Sequence, residues 1–260
     1  MHRTSTCDRF LLLCNMPPSF LRDPVMLQAI DLHKRYGEVT ALERLNLRVA
    51  PGEIYCLLGA NGAGKTTTIN LFLDFVPRSG GQALICGLDV TQEPLRTKAL
   101  LAYIPEVVSL YPTLSGLENL RYFASLAGLA LTDQELIAEA VRVGLAERAV
   151  HERVGGYSKG MRQKLALAIA LARRARVLLL DEPLSGLDPQ AANEFSQRLQ
   201  SVARDGVAVL MTTHDLFRAR EIATHLGIMA RGRLIEELRA DAVDPVRLEA
   251  IYLEHMRVSA

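Results

Sequence analysis

Neither sign of charge is in surplus in this chain: 30 basic residues face 29 acidic ones, for a formal net charge of +1. Such a balance offers no field to gather nucleic acid, so no nucleic-acid partner is expected. Lys159, Arg162, Lys164, Arg173, Arg174 and Arg176 do crowd one region, which reads as a solvated or docking surface. Long apolar runs are missing as well. The longest, Leu165 to Ala172, is about half of the roughly 18 residues a spanning helix needs, and Arg173-Arg174 closes it, so the chain itself is not expected to cross a membrane. The four cysteines, Cys7, Cys14, Cys56 and Cys86, show no C-x-x-C spacing and no neighbouring histidines, which argues against metal and redox motifs and for a reducing cytosol. With 260 residues and 49% hydrophobic content, the chain can bury a full core, as one domain or as a domain with a subdomain.

Residues 1–25 stand apart from the rest. Phe10 to Cys14 is a short apolar burst, and Pro17, Pro18 and Pro24 break any element around it. A signal peptide would want a longer apolar region followed by a small-residue cleavage site. The stretch therefore reads as a disordered extension, or as upstream sequence if Met26 is the start; a short membrane- or partner-touching tail is the other reading.

From Met26 to about Met256 the register is regular. Leu27 to His33 and Leu45 to Val49 alternate like antiparallel strands joined through Lys34-Arg35-Tyr36-Gly37, and Pro51-Gly52 turns into a buried strand at Ile54 to Leu58. Gly80-Gly81 precede a strand through Ala83 to Cys86, and Leu101 to Ile104 is another. From Leu117 to about Ala149 the pattern becomes helical, with Leu117, Leu120, Phe123, Ala124 and Ala127 on one face, within an inserted subdomain over about 107–165. Helix and strand then alternate: Gly160 to Ala172, Val177 to Leu180, Pro189 to Val202, Val207 to Met211, Asp215 to Ala223 and His225 to Met229. The expected fold is α/β: a mostly parallel core sheet, an antiparallel β subdomain and an inserted α-helical subdomain.

The stretch carrying chemistry is Gly59-Ala60-Asn61-Gly62-Ala63-Gly64-Lys65-Thr66, followed by Thr67. It fits G-x-x-x-x-G-K-[ST] between a buried strand and an amphipathic helix, which is the context a phosphate loop requires. Glycines let successive backbone N–H groups face phosphate oxygens, and the helix N-terminus adds partial positive charge. Lys65 would reach β- and γ-phosphates, and the Thr66 hydroxyl would ligate Mg²⁺. A second strand, Leu178 to Leu180, ends in Asp181-Glu182; at the carboxyl edge of a parallel sheet, Asp181 can hold Mg²⁺ through water and Glu182 can polarise an attacking water. A pair of solvated loop carboxylates is the plain alternative, made less attractive by the apolar strand that feeds them. His214 lies just beyond a third strand; a lone histidine is more often structural, but its place at the same edge argues for chemistry. Tyr157-Ser158-Lys159-Gly160-Met161, at the head of a helix, makes a second anion site with Ser158 and Gly160, separate from the first.

The order and spacing of these motifs resemble the ATP-binding cassette ATPases, the nucleotide-binding subunits of ABC transporters, over about Met26 to Met256. Residues 157–161 look like the L-S-G-G-Q signature, with Lys159 and Met161 departing from the usual Gly and Gln in a form similar to the exporter-type, ABC-2-like branch. The resemblance implies ATP and Mg²⁺ as ligands and an ATP-sandwich homodimer, in which Ser158 and Gly160 of one copy contact the γ-phosphate held by the other. It implies that Tyr36 stacks on adenine, and that Asp188, in Ser185-Gly186-Leu187-Asp188, works across the dimer interface. Read from residues alone, Asp188 is a helix N-cap before Pro189. Glu106 stands where most members carry a Mg²⁺-sensing glutamine; a carboxylate can still ligate Mg²⁺ and adds negative charge. By the same resemblance Lys65, Glu182 and His214 are catalytic, Thr66, Glu106 and Asp181 serve the metal, and the segment around Tyr111, Pro112 and Leu114 leads to a permease-docking surface. The implied protein is an ATPase subunit on the cytoplasmic face of the cell membrane, driving ABC-2-type permease subunits, with export the implied direction. A soluble cassette ATPase without a permease, as in iron–sulfur cluster assembly, is the alternative.

Overall fold

The computed structural model describes residues 25–257; the expectations for residues 1–24 lie outside the described residues. Two antiparallel strands, β1 (Leu27–Tyr36) and β2 (Val39–Val49), open a four-stranded sheet of order β2-β1-β4-β5, with β4 at Gly80–Ile85 and β5 at Leu88–Asp89. Both hairpin strands run further than the sequence pattern indicated, with the turn at Gly37 (φ 56°). The pattern is interrupted by a register shift between Ala29 and Leu32, where Asp31 sits at φ 45°. That bulge moves the inward period by one, keeping Leu32 and Lys34 inside. Gly80 and Gly81 fall within β4 rather than before it. A side chain at Gly81 would lie 2.3 Å from the Asp31 carbonyl oxygen, so glycine lets β4 approach the bulge.

The main sheet has six strands in the order β10-β9-β3-β8-β7-β6: β3 (Ile54–Leu58), β6 (Leu101–Ile104), β7 (Val177–Asp181), β8 (Ala208–Thr213), β9 (His225–Ala230) and β10 (Arg233–Arg239). All pairs are parallel except β9 with β10. Strands β3, β7 and β8 are buried at every residue, which explains their unbroken apolar reading in sequence. Successive residues feed opposite faces. Cys56, Leu58, Leu178, Leu180, Val209 and Met211 enter one core, Tyr55, Leu57, Leu179 and Leu210 the other. On the second face lie the antiparallel sheet and α1 (Lys65–Phe72), through Leu32, Leu45, Ile69 and Phe72.

After α2 (Pro94–Leu100) and β6, the chain enters the helices α3 (Gly116–Leu126), α4 (Asp133–Arg142), α5 (Glu147–Val150) and α6 (Lys159–Ala172). Helices α3 and α4 both start with reciprocal caps, Ser115 with Glu118 and Thr132 with Glu135, so their entry points are written locally. Helix α6 packs on α3 and α4 and also on β6 and α7 (Pro189–Arg204), tying the inserted helices to the sheet. The chain ends with α8 (Leu216–Ile222) between β8 and β9, and α9 (Pro245–Arg257) after β10. Because β3, β6, β7 and β8 are parallel neighbours, the loops after them emerge at one edge, where ligands bind in open α/β sheets.

Candidate functional site

The loop between β3 and α1 wraps back on itself with Gly62 at φ 81° and Gly64 at φ 106°, conformations that suit glycine. A side chain at Gly59 would lie 2.5 Å from the Met229 carbonyl oxygen, so the loop also rests directly on β9. The Lys65 ammonium folds over this loop, donating to the Gly59 carbonyl at 2.7 Å and the Ala60 carbonyl at 3.3 Å. It also lies 3.7 Å from Oε1 of Glu182, and the side chains of this pair are only 7% and 14% exposed. Around it is a cleft of about 560 Å³ lined by Ala60, Asn61, Gly62, Gly64, Lys65, Thr66, Thr67, Glu106, Asp181 and Glu182 from the sequence-derived set. Gly59 and Ala63, also in the loop, do not line the cleft.

Four strand ends meet here. Thr66 Oγ1 donates to Oδ2 of Asp181 at 3.1 Å, joining the head of α1 to the end of β7. Glu182, the next residue, sits at φ 46°, a left-handed conformation costing about 1–3 kcal/mol for a residue with a side chain. Its backbone N–H is held there by Thr212 of β8, through the carbonyl oxygen at 3.2 Å and the hydroxyl at 3.1 Å. The kink leaves Oε2 of Glu182 3.0 Å from Nδ1 of His214. A carboxylate only accepts, so Nδ1 carries the proton. Glu106, beyond β6, accepts from the Ser185 hydroxyl at 2.9 Å. Thr66, Asp181 and Glu106 thus present hydroxyl and carboxylate oxygens to one cleft, a donor set suited to a hard cation such as Mg²⁺. Beneath the loop, burial pushes the Cys56 thiol far above its usual range, so it remains protonated and inert.

Other sequence-derived residues lie elsewhere. Tyr36 is 47% exposed and does not line the cleft; its partner across the hairpin, Val39, does. Ser158 caps α6 by accepting from the Met161 N–H at 3.2 Å, and Asp188 caps α7 by accepting from the Ala191 N–H at 2.9 Å. A side chain at Gly160 would touch Ala191, whose Cβ is 3.2 Å away, and Lys159 lies against Gly186. None of residues 158–161, nor Asp188, lines the cleft. A single copy therefore leaves Ser158 and Gly160 outside the cleft around its own Lys65.

Sequence reasoning missed Thr212, Val39, Thr40, Ala41 and Arg231. Thr212 carries no motif of its own; its significance comes from reaching the Asp181 carboxylate and the Glu182 backbone N–H from a separate strand. Arg231 arrives through the β9–β10 turn, where Gly232 donates to the Ala63 carbonyl at 3.0 Å and accepts from the Glu43 N–H at 2.7 Å. Its one local sign was the following glycine, a turn signal without chemistry.

The chain is similar to known proteins. A family model described as ABC transporter matches residues 42–185. The Nod factor export ATP-binding protein I of Cupriavidus metallidurans is 34% identical over 213 residues, covering 82% of this chain and 70% of that protein. The linearmycin resistance ATP-binding protein LnrL of Bacillus subtilis is 32% identical over 212 residues, covering 81% and 68%. A solved structure described as the ATP-binding subunit of an ABC transporter is 29% identical, with a TM-score of 0.78 over 89% of this chain and 99% of that one. On the phosphate loop, the converging strand ends and these likenesses together, the chain belongs to the ABC transporter family as an ATP-binding subunit with the ABC ATPase fold.

Proposed function

We propose that the chain binds and hydrolyses ATP, closes head-to-tail with a second copy around two nucleotides, and drives a separately encoded export permease at the cytoplasmic face of the membrane. The observation that carries this is the contact of Glu182 with both Lys65 and His214, while the signature residues stand outside that cleft. A site so divided calls for a second copy to bring Ser158 and Gly160 to the γ-phosphate, with Asp188 at the shared surface.

In this reading the backbone N–H groups of residues 60–66 bind the phosphates, and Lys65 exchanges its loop carbonyls for β- and γ-phosphate oxygens. Mg²⁺, with Thr66, Asp181 and Glu106 as its oxygen donors, supplies charge neutralisation when bound. Glu182 takes a proton from water as the water oxygen bonds to the γ-phosphorus, and the bond from that phosphorus to the ADP oxygen breaks. His214 holds Glu182 through Nδ1–H, so the base stays aimed at the water. Closure excludes solvent, and product release reopens the pair. Tyr36 serves as the base platform beside the phosphates.

The export reading is supported by what the relatives are called: an export protein and a resistance protein. A groove lined by Tyr103, Val108, Leu110, Phe123 and Ile169, beside the edge-to-face pair Tyr111 and Tyr122, offers apolar surface for a permease segment. Glu182→Gln tests the core of the proposal. It should lower ATP hydrolysis about a hundredfold or more while trapping a dimer with Mg-ATP in light scattering. Wild-type turnover, or a nucleotide-bound monomer, would overturn it.

A further inference from the structure

Lys34 is a buried cation with an unusual set of partners. It lies on β1 with 7% of its surface exposed, and its ammonium donates to the Pro77 carbonyl at 2.6 Å. The same nitrogen lies 4.5 Å from the centroid of the Tyr36 ring. Among the described residues no carboxylate pairs with it. Burying an ammonium costs free energy unless something of opposite polarity faces it, and the π face of Tyr36 supplies that. The two partners hold the lysine from different sides, one in the sheet and one in the loop that follows α1.

That loop is itself stitched to β1. The Arg35 N–H donates to Ser79 Oγ at 2.9 Å, and the Ser79 N–H donates to the His33 carbonyl at 2.9 Å. Pro77 and Ser79 therefore form a fixed shelf at the end of β1. The Tyr36 side chain, half-exposed at the hairpin tip, has no hydrogen bond among the described residues; the Lys34 ammonium is the polar contact that holds the ring. Covering one face leaves the other for a ligand. A cation on the far side also withdraws density from the ring, favouring a stack with an electron-rich purine.

We propose that Lys34 is the positioning residue of the nucleotide-base platform: its ammonium, fixed by the Pro77 carbonyl, holds and polarises the Tyr36 ring so that a purine stacks on the opposite face. The inference rests on the reading of Tyr36 as that platform and goes beyond it by naming the group that sets the ring. The cation is specific to base recognition, because the ammonium is held by a carbonyl and a ring rather than by any phosphate-loop atom.

The test is calorimetric binding of Mg-ATP and of Mg-tripolyphosphate to the wild-type chain and to Tyr36→Ala, Lys34→Met, Lys34→Gln and Lys34→Arg. Tripolyphosphate reports the phosphate site and the folded state without a base. Tyr36→Ala should weaken ATP about tenfold and leave tripolyphosphate within about twofold. Lys34→Met and Lys34→Gln should weaken ATP about threefold to tenfold with tripolyphosphate unchanged, the glutamine separating the hydrogen bond to Pro77 from the charge. Lys34→Arg keeps a cation over the ring and should stay within about twofold of wild type for both ligands. If Tyr36→Ala weakens ATP but neither neutral variant does, the role of Lys34 is wrong and the platform stands. An unchanged ATP affinity in Tyr36→Ala removes the platform and the inference together. Equal losses for both ligands in the lysine variants, or no rescue by arginine, would make Lys34 a structural residue only.

Discussion

The hydroxyl of Thr212 donates to Oδ1 of Asp181 at 2.5 Å, across the parallel pair of β7 and β8. The same hydroxyl accepts from the backbone N–H of Glu182, so one buried threonine ties the Asp181 carboxylate to the backbone that carries Glu182. Its one proton goes to Asp181, and one of its two lone pairs accepts the Glu182 N–H.

Thr212→Val keeps the shape and removes the hydroxyl. The buried Asp181 loses a donor, while Glu182 N–H retains the Thr212 carbonyl. Urea denaturation should show a loss of about 1–3 kcal/mol, the usual penalty for unpairing a buried polar group. Turnover should fall about tenfold through the loosened Glu182, with the change in kcat rather than in KM. A variant as stable and as fast as wild type would remove Thr212 from the site.

Tyr157, just before Ser158, donates its hydroxyl to the Ala149 carbonyl in α5 at 2.5 Å. Burial, then the nearby Glu152 charge, pushes that hydroxyl up to about 12 from 10.0. Between these values the unfolded chain has released the proton and the folded chain has kept it, so stability falls as pH rises from about 10 to about 12. Tyr157→Phe should remove that part of the slope. At pH 7 it should cost about 1 kcal/mol by leaving the Ala149 carbonyl unpaired. Parallel wild-type and variant curves of denaturation midpoint against pH would refute the assignment.

Glu106 accepts from Ser185 in a segment that follows the paired carboxylates. Glu106→Gln keeps an acceptor for that hydroxyl and removes a negative charge from the cleft. If Glu106 serves the cation, the Mg²⁺ concentration for half-maximal ATP binding should rise about threefold or more. An unchanged Mg²⁺ requirement, read by nucleotide fluorescence, would leave Glu106 as a loop acid hydrogen-bonded to Ser185.

Much of the architecture was legible because it is written locally. Strands β3 and β6 match their apolar runs residue for residue, and the capping pairs of α3 and α4 lie at their starts. Other elements were not legible. Strand β10 alternates intermediate and exposed residues at the sheet edge, and its Glu236-Glu237 pair hides any apolar period. Helix α2 has seven residues and buries only Thr97 and Leu100, too little for a helical repeat to show.

By itself the sequence determined the glycine-rich loop between strand and helix, the carboxylate pair closing a buried strand, and the helix start at Ser158. Each depends on neighbours along the chain: a glycine that permits positive φ, or a run of apolar residues that must be covered. Only the tertiary structure decided which of these meet. Thr66 reaches Asp181 across 115 residues, and Glu182 meets His214 across 32. The positions of Thr212, Arg231 and Lys34 arise in the same way, from strands and turns brought side by side. Parallel pairing aligns distant strand ends at one edge, and no local pattern records which residue will stand opposite which.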